Sequence, residues 1–405
     1  MHAYRKIFAP MHTQKHFLPY TFVAVSMMAI CSIPLAARQP TVTRLDGSKI
    51  TSSQIDSTVT HLMEASHVTG AGIAIFNDGK IAYLKTYGVR DKEKLLPLTL
   101  DSVMPAASLT KSAFATMVMQ LVRQKVIDLD KPIYEYLPKP LPEYPGYKDL
   151  APDPRYRQIT MRMLLDHTSG FPNWRWFTDD KKLSIYFMPG SRFAYSGEGI
   201  ALAQMVVETV TSKSVQDLME GHIFKPLGMT STSMIWEPRF EGDYANGYDE
   251  QEKSLGAQRR TKAGAAGSMQ TTLRDFALFV RAVIDGTILE KKTRALMLTP
   301  QIRITSKHMF PTLASETTTE NENIQLSSGL GWGLYRTPYG MAFFKGGHDD
   351  GWRHYVVCFD RPKAGILIMT NSSNGDEIFI SLLEDLLRNT FTPLEWERFK
   401  PVIKN

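Results

Sequence analysis

Ser108-Leu109-Thr110-Lys111 sets a hydroxyl and an amine three residues apart, at the start of a run with helical periodicity. On a helix those two side chains share a face. A serine hydroxyl is a poor nucleophile until a neighbouring group takes its proton, and a desolvated lysine can do so. The helix start adds N–H groups and positive potential where an oxyanion would develop. The same four residues also describe an ordinary helix start, with Ser108 as cap and Lys111 on the surface. The spacing alone does not separate the two readings.

Two further segments carry groups that could complete such a site. Pro189-Gly-Ser-Arg-Phe-Ala-Tyr195-Ser196-Gly197 puts a phenol in a short loop just before a helical run. Lys345-Gly346-Gly347 puts a second amine, followed by two bare backbone positions, at the end of an expected strand. In this order, a serine–lysine helix, a tyrosine loop and a strand-borne lysine resemble the serine β-lactamase and penicillin-binding-protein superfamily. The likeness is to class C β-lactamases and their esterase and D-amino-acid peptidase relatives. It covers about residues 55 to 390 and includes Asp128-Leu-Asp-Lys-Pro132, the segment Ile159 to Pro172, Pro189-Gly190 and Gly329-Leu-Gly-Trp-Gly333.

The resemblance implies roles. Ser108 is acylated; Lys111 and Tyr195 move its proton to the leaving group; Lys345 holds the phenol and faces a substrate carboxylate. Gly346 and Gly347 leave the strand edge bare for substrate, and the N–H groups of Ser108 and His348 form the oxyanion hole. Two positions depart from the pattern. Gly197 stands where the tyrosine motif usually ends in asparagine, and Gly346 stands where threonine or serine is usual. An amide and a hydroxyl that would grip a β-lactam or peptide are missing, each worth about 1–3 kcal/mol when a partner is left unpaired. The expectation is therefore a serine hydrolase acting through an acyl-enzyme on an ester or amide. A slowly turning-over penicillin-binding sensor or D-alanyl-D-alanine carboxypeptidase-like protein stays open, as does a non-catalytic scaffold of the same fold.

Other chemistry-bearing residues have plainer readings. His348, Asp349 and Asp350 are contiguous in a turn, where residues rarely share one ion, so neither metal nor organic cofactor is expected. Asp166-His167 hints at a serine–histidine–aspartate relay, but the resemblance gives the pair a packing role. Trp174, Trp176 and Trp332 are candidates for cleft walls or for packing.

The elements that must position these groups follow from periodicity. Ile55–His67 reads as an amphipathic helix, and Ala71–Phe76, Asn77-Asp78-Gly79 and Lys80–Tyr87 read as an antiparallel hairpin ended by Gly88. Ser108 to about Gln124, a helix from Thr160, Gly199–Val210, Ser214–Phe224 and Thr272–Ile284 carry helical patterns. Strands return at Gly331–Tyr335, Met341–Lys345, Arg353–Phe359 and Ala364–Thr370, followed by a closing helix from about Asp376 to Asn389. The Pro- and Tyr-rich tract Lys131–Pro154 reads as ordered loop rather than core, and residues 299–327 as a mobile polar loop. This predicts an α+β fold: an antiparallel sheet built from both ends of the chain (38–124 and 262–405), flanked by helices, with a mostly helical insertion at 125–261.

The 405 residues carry a formal charge of +6, which falls to +3 without residues 1–37, where Arg5, Lys6 and Lys15 meet no acid. So small and scattered an excess argues against a nucleic-acid partner and leaves a small molecule or peptide as substrate. Those basic residues precede an uncharged run from about Phe17 to Ala37, ending in small residues. That is the layout of a secretory signal, or, if retained, of a membrane anchor, and it predicts an exported protein, periplasmic or extracellular. The only cysteines are Cys31 and Cys358, so no internal disulfide is expected after signal removal, and Cys358 is expected in the core.

Overall fold

The computed structural model describes Lys15 and residues 41–399. The segment expected as a signal or anchor, Lys15 apart, and residues 400–405 lie outside them. Residues 41–399 belong to one compact unit. Its frame is a nine-stranded antiparallel sheet: β1 (Gly70–Asn77), β2 (Lys80–Asp91), β3 (Leu96–Pro97), β4 (Ile302–Arg303), β5 (Ser327–Ser328), β6 (Gly333–Thr337), β7 (Gly340–Asp349), β8 (Trp352–Phe359) and β9 (Ala364–Thr370). The spatial order is β4-β5-β6-β7-β8-β9-β1-β2-β3. The last strand of the chain therefore pairs with the first long one, Ile366 opposite Ile75, and closes the sheet from both ends.

The central strands are apolar at nearly every position because both faces are covered. In β1, Ala74 and Phe76 enter one core while Ile73 and Ile75 enter the other. Cys358 is buried, and burial pushes its thiol well above the ordinary range. The β1–β2 turn places Asp78 and Gly79 at φ +50° and +73°, the left-handed pair a two-residue hairpin demands. Pairing of β1 with β2 ends at Gly70 opposite Gly88, after which β2 runs on to Asp91.

Helix α1 (Ser52–Ala65) covers one face, its start fixed by a capping box between Thr51 and Gln54. The other face carries α2 (Leu109–Arg123), in which every residue from Leu109 to Met119 is buried. A helix enclosed all round belongs to the interior, and each large side chain it buries contributes about 1.5–3 kcal/mol. The same core includes α3 (Met161–Leu165), α4 (Gly197–Thr211) and α5 (Leu273–Asp285). Their buried residues join those of the sheet in a single cluster, so residues 125–261 share the sheet's core.

Several local expectations need correction. The tract Lys131–Pro154, expected as ordered loop rather than core, does contribute to the core: 3₁₀ turns at Ile133–Tyr136, Leu141–Glu143 and Pro145–Leu150 bury Ile133, Leu141, Tyr147 and Leu150. Prolines at or just before each turn preset φ and let single apolar residues dip inward. Residues 299–327 contain β4 and part of β5, and bury Ile304, Ile324 and Leu326. Strand β7 does not end at Lys345 but continues four residues further. The closing helix is broken into a 3₁₀ turn, one α turn and a π turn across Gly375–Leu387.

Gly331, at φ +82°, lies closely against Ala115 of α2. Its carbonyl accepts from Ser112 at 2.9 Å and its N–H donates to Leu165 at 2.9 Å. A methyl there would overlap Ala115 in a backbone conformation that disfavours L side chains. Gly331→Ala is expected to destabilise the fold by about 2–4 kcal/mol, read as a lowered midpoint in urea unfolding at unchanged slope.

Candidate functional site

Ser108 stands at the N-cap of α2, yet its side chain makes no capping hydrogen bond. The residue before it, Ala107, is held at φ +47°, a strained conformation of the kind found where a side chain must be aimed. The Ala107 carbonyl accepts from the Thr110 hydroxyl at 2.6 Å, which fixes the turn. With its hydroxyl free of the helix, Ser108 accepts a hydrogen bond from Lys111 Nζ at 3.1 Å. The surface-lysine reading fails, since Lys111 is 2% exposed.

Lys111 Nζ also donates to the Ala266 carbonyl at 2.5 Å. The small residues of Ala263–Gly267, conspicuous in the sequence, let a backbone carbonyl come that close. Burial is the main force lowering the Lys111 pKa; nearby Tyr195 opposes it and Lys345 adds to it.

Tyr195 reaches the same place from the loop before α4, where Ser196 caps the helix through Gly199 N–H at 2.8 Å. Its hydroxyl accepts from Lys345 Nζ at 3.1 Å. Both amines lie over the phenol ring, at 5.0 Å for Lys111 and 4.7 Å for Lys345. Burial alone would raise the phenol. The charges of Lys111 and Lys345, with hydrogen bonds to Ser108 and Lys345, outweigh it and bring the pKa down to about 7. Two amines and a phenol thus surround one hydroxyl, and the shifts of Lys111 and Tyr195 are coupled to each other.

Lys345 sits within β7. Strand β6 stops at Gly333, opposite Phe344, while β8 pairs on to Asp349. From Lys345 to Asp349, therefore, β7 has a partner on one side only, and Lys345, Gly346, His348 and Asp349 line the same cavity as Ser108. The two glycines differ. A Cβ at Gly347 would lie 2.9 Å from the Ala106 carbonyl and 3.2 Å from Leu109, so closeness to the start of α2 requires glycine there. A Cβ at Gly346 would meet nothing nearer than 3.9 Å. Space permits a side chain at 346; the sequence omits it.

Gly197 is different again. A Cβ there would come within 2.5 Å of the Trp174 indole, which occupies the volume an asparagine side chain would need. Trp174 and Trp176 line the cleft, whereas Trp332 is core, stacked on Phe279. The cleft encloses about 700 Å³ and also gathers Arg260, Lys262 and Arg353, with Asp349 bound to Arg260 at 2.5 Å.

Asp166 and His167 make no relay. Asp166 accepts from the N–H and hydroxyl of Thr168, and His167 Nδ1 accepts from Ser196 N–H at 3.2 Å. The imidazole packs behind Tyr195 at 4.5 Å, and burial first, then the two amines, holds its pKa far below the usual value. His348 is exposed at the rim, and the described residues contain no cluster of metal-ligating side chains.

Sequence reasoning missed Phe310, whose ring meets Tyr195 at 5.6 Å, and Glu397. Glu397 closes the short helix α6 (Leu394–Glu397) and is 6% exposed, and neither carboxylate oxygen has a hydrogen-bond partner. It lines a water-sized space of about 30 Å³ behind Tyr195, Lys345 and Gly346. Nothing in Leu394-Glu-Trp-Glu397 distinguishes it from a solvated helix end.

Fold and site together define a member of the serine β-lactamase and penicillin-binding-protein superfamily. The chain belongs to the Beta-lactamase family, whose model matches residues 55–386. Among curated proteins it is 26% identical over 195 residues to Protein flp of Staphylococcus aureus, covering 44% of this chain and 38% of that one. It thus spans about two-fifths of the length of that relative. It is also 26% identical over 344 residues to penicillin-binding protein 4 of Amycolatopsis lactamdurans, covering 79% and 85%. Similar solved structures are an octameric penicillin-binding protein homologue from Pyrococcus abyssi (TM-score 0.67, 22% identity, 87% of this chain and 78% of that one) and a β-lactamase/D-alanine carboxypeptidase from Pseudomonas syringae (0.67, 20%, 83% and 98%). At these identities the structures share the fold.

Burial raises the Glu397 carboxyl from 4.5 to about 8, with Lys345 pulling the other way. Between about pH 4.5 and 8 the folded chain holds a proton there that the unfolded chain has lost, so this contribution is intact at low pH and disappears as pH rises through that window. Glu397→Gln removes the dependence. Its melting temperature, measured by differential scanning calorimetry against wild type, is expected to gain on wild type by several degrees between pH 5 and 8.5.

Proposed function

We propose that this protein is a serine hydrolase that works through an acyl-enzyme and prefers esters or unstrained amides to β-lactams. The observation that carries this reading is the buried Lys111 amine 3.1 Å from the Ser108 hydroxyl. Ser108 attacks the carbonyl as its proton passes to the Lys111–Tyr195 pair. The developing oxyanion faces the N–H groups of Ser108 and His348. Tyr195, kept near neutrality by the two amines, returns the proton to the leaving alcohol or amine, and water then cleaves the acyl ester. Lys345 positions the phenol and adds positive potential for an anionic substrate group.

The preference for esters rests on the clamp. Gly346 contributes no hydroxyl, and Trp174 stands where an amide would otherwise project. A lactam or peptide held without those contacts loses orientation, whereas an activated ester needs less of it. The relatives named as penicillin-binding protein and D-alanine carboxypeptidase, together with the cationic Arg260, Lys262 and Arg353 in the cleft, favour a second reading: slow acylation by penicillins or D-alanyl peptides. Export in either case rests on the basic and apolar pattern of residues 1–37.

Incubation with short-chain p-nitrophenyl esters, nitrocefin, a fluorescent penicillin and a fluorophosphonate separates these readings. Ester turnover and fluorophosphonate labelling without nitrocefin turnover are expected, and stable penicillin labelling would favour the second reading. Ser108→Ala is expected to abolish every signal; survival of activity would remove Ser108 from the mechanism. Wild-type kcat/KM is expected to rise through about pH 7 as Tyr195 ionises, and Tyr195→Phe to lose that limb along with about 10²–10⁴ in rate.

A further inference from the structure

One wall of the cleft is aromatic and has no part in the proton chemistry. The indoles of Trp174 and Trp176 stack with centroids 4.7 Å apart and planes 9° from parallel. Trp174 backs onto Gly197, while Trp176 is 55% exposed. Both rings line the cavity that holds Ser108, as does Phe310, which extends the apolar surface to the Tyr195 ring.

The pair is held in place. Arg175, between the two tryptophans, forks onto Glu198 at 2.9 and 2.7 Å and donates to the Gly146 carbonyl at 2.7 Å. Glu198 also accepts from Arg175 N–H at 3.0 Å, and it is buried in the first turn of α4. The adjoining Gly197 N–H donates to Asn173 Oδ1 at 3.1 Å. The tryptophan turn is thus tied to the start of the helix that follows Tyr195. A large flat apolar face fixed this way in water is unfavourable unless something covers it, and a fixed face binds without an ordering cost.

We infer that the Trp174–Trp176 stack is a subsite for a flat aryl group of the substrate, placed beside the scissile carbonyl in the position where an amide clamp is missing. The inference deepens the serine-hydrolase reading and rests on it. The substrates it selects are esters or amides that carry an aromatic ring next to the reacting carbonyl, on the acyl or the leaving-group side. Recognition is by stacking on the indole face rather than by hydrogen bonding to an amide.

Two matched pairs of non-chromogenic esters test this, with acid release followed by pH-stat. Methyl phenylacetate against methyl cyclohexylacetate places the ring on the acyl side, and benzyl acetate against cyclohexylmethyl acetate places it on the leaving group. Each pair has equal carbon number and differs in whether the ring is flat. Wild type is expected to favour the aryl member of one pair by about fivefold or more in kcat/KM, mainly through KM. Trp176→Ala is expected to bring that ratio close to one, and Trp176→Phe to keep part of it. A wild-type ratio near one in both pairs, or an equal loss on both members in Trp176→Ala, overturns the subsite. If wild type hydrolyses no ester, the hydrolase reading fails, and the subsite is judged by calorimetric titration with phenylacetate and cyclohexylacetate. Tighter phenylacetate binding that Trp176→Ala removes supports it; equal or absent binding overturns it.

Discussion

The amine of Lys111 is the constraint around which the molecule is arranged. It is enclosed in the protein with a serine hydroxyl and a backbone carbonyl as its hydrogen-bond acceptors. Among the described residues no carboxylate forms an ion pair with it. A buried ammonium costs several kcal/mol even after relaxation, so the neutral form gains ground and the amine becomes able to take a proton. The buried turns of α2 from Leu109 to Met119, the close approach of Gly331 to Ala115 and the small residues before Ala266 wall the amine on its inner sides, and its remaining side faces the cleft.

A second amine makes the arrangement more demanding. Lys345 arrives from the sheet and Tyr195 from a loop of the helical region, so three separate stretches of chain must meet. Two like charges beside one another would be repulsive without the phenol between them. The phenolate form relieves that repulsion, and the repulsion in turn favours the phenolate. Glu397, although buried nearby, does not share this work, because burial keeps its carboxyl protonated near neutral pH. Ionising it would bring a bare negative charge into a space with room for about one water.

How much of this was legible depends on the scale of the signal. The sheet joining early and late strands could be read because those strands are continuous apolar runs separated by turn residues, as in Ala364–Thr370 beside Ala71–Phe76. Ser108, Lys111, Tyr195 and Lys345 could be picked out because motif spacing survives in sequence even where contacts do not. The core role of Lys131–Pro154 was hidden, since 3₁₀ turns bury one residue at a time and leave no period to detect. The burial of Glu397 was hidden for a related reason. A single carboxyl near a chain end looks solvated until its neighbours are known, and those neighbours, Lys345 and Gly346, lie about fifty residues away.

Glycine at three site positions shows why identity alone misleads. Gly347 is required by the backbone of Ala106, so its presence says only that strand β7 must approach the start of α2 closely. Gly197 is required by an indole, so its presence follows from where Trp174 lies. At Gly346 neither constraint operates, because a side chain would fit. The missing hydroxyl there is thus a chemical difference rather than a steric necessity. On the serine-hydrolase reading proposed above, Lys345 meets the substrate without a neighbouring donor, which matters most for substrates that depend on a gripped carboxylate. On that reading the two departures act on different parts of a substrate yet in the same direction, away from polar clamping and toward shape.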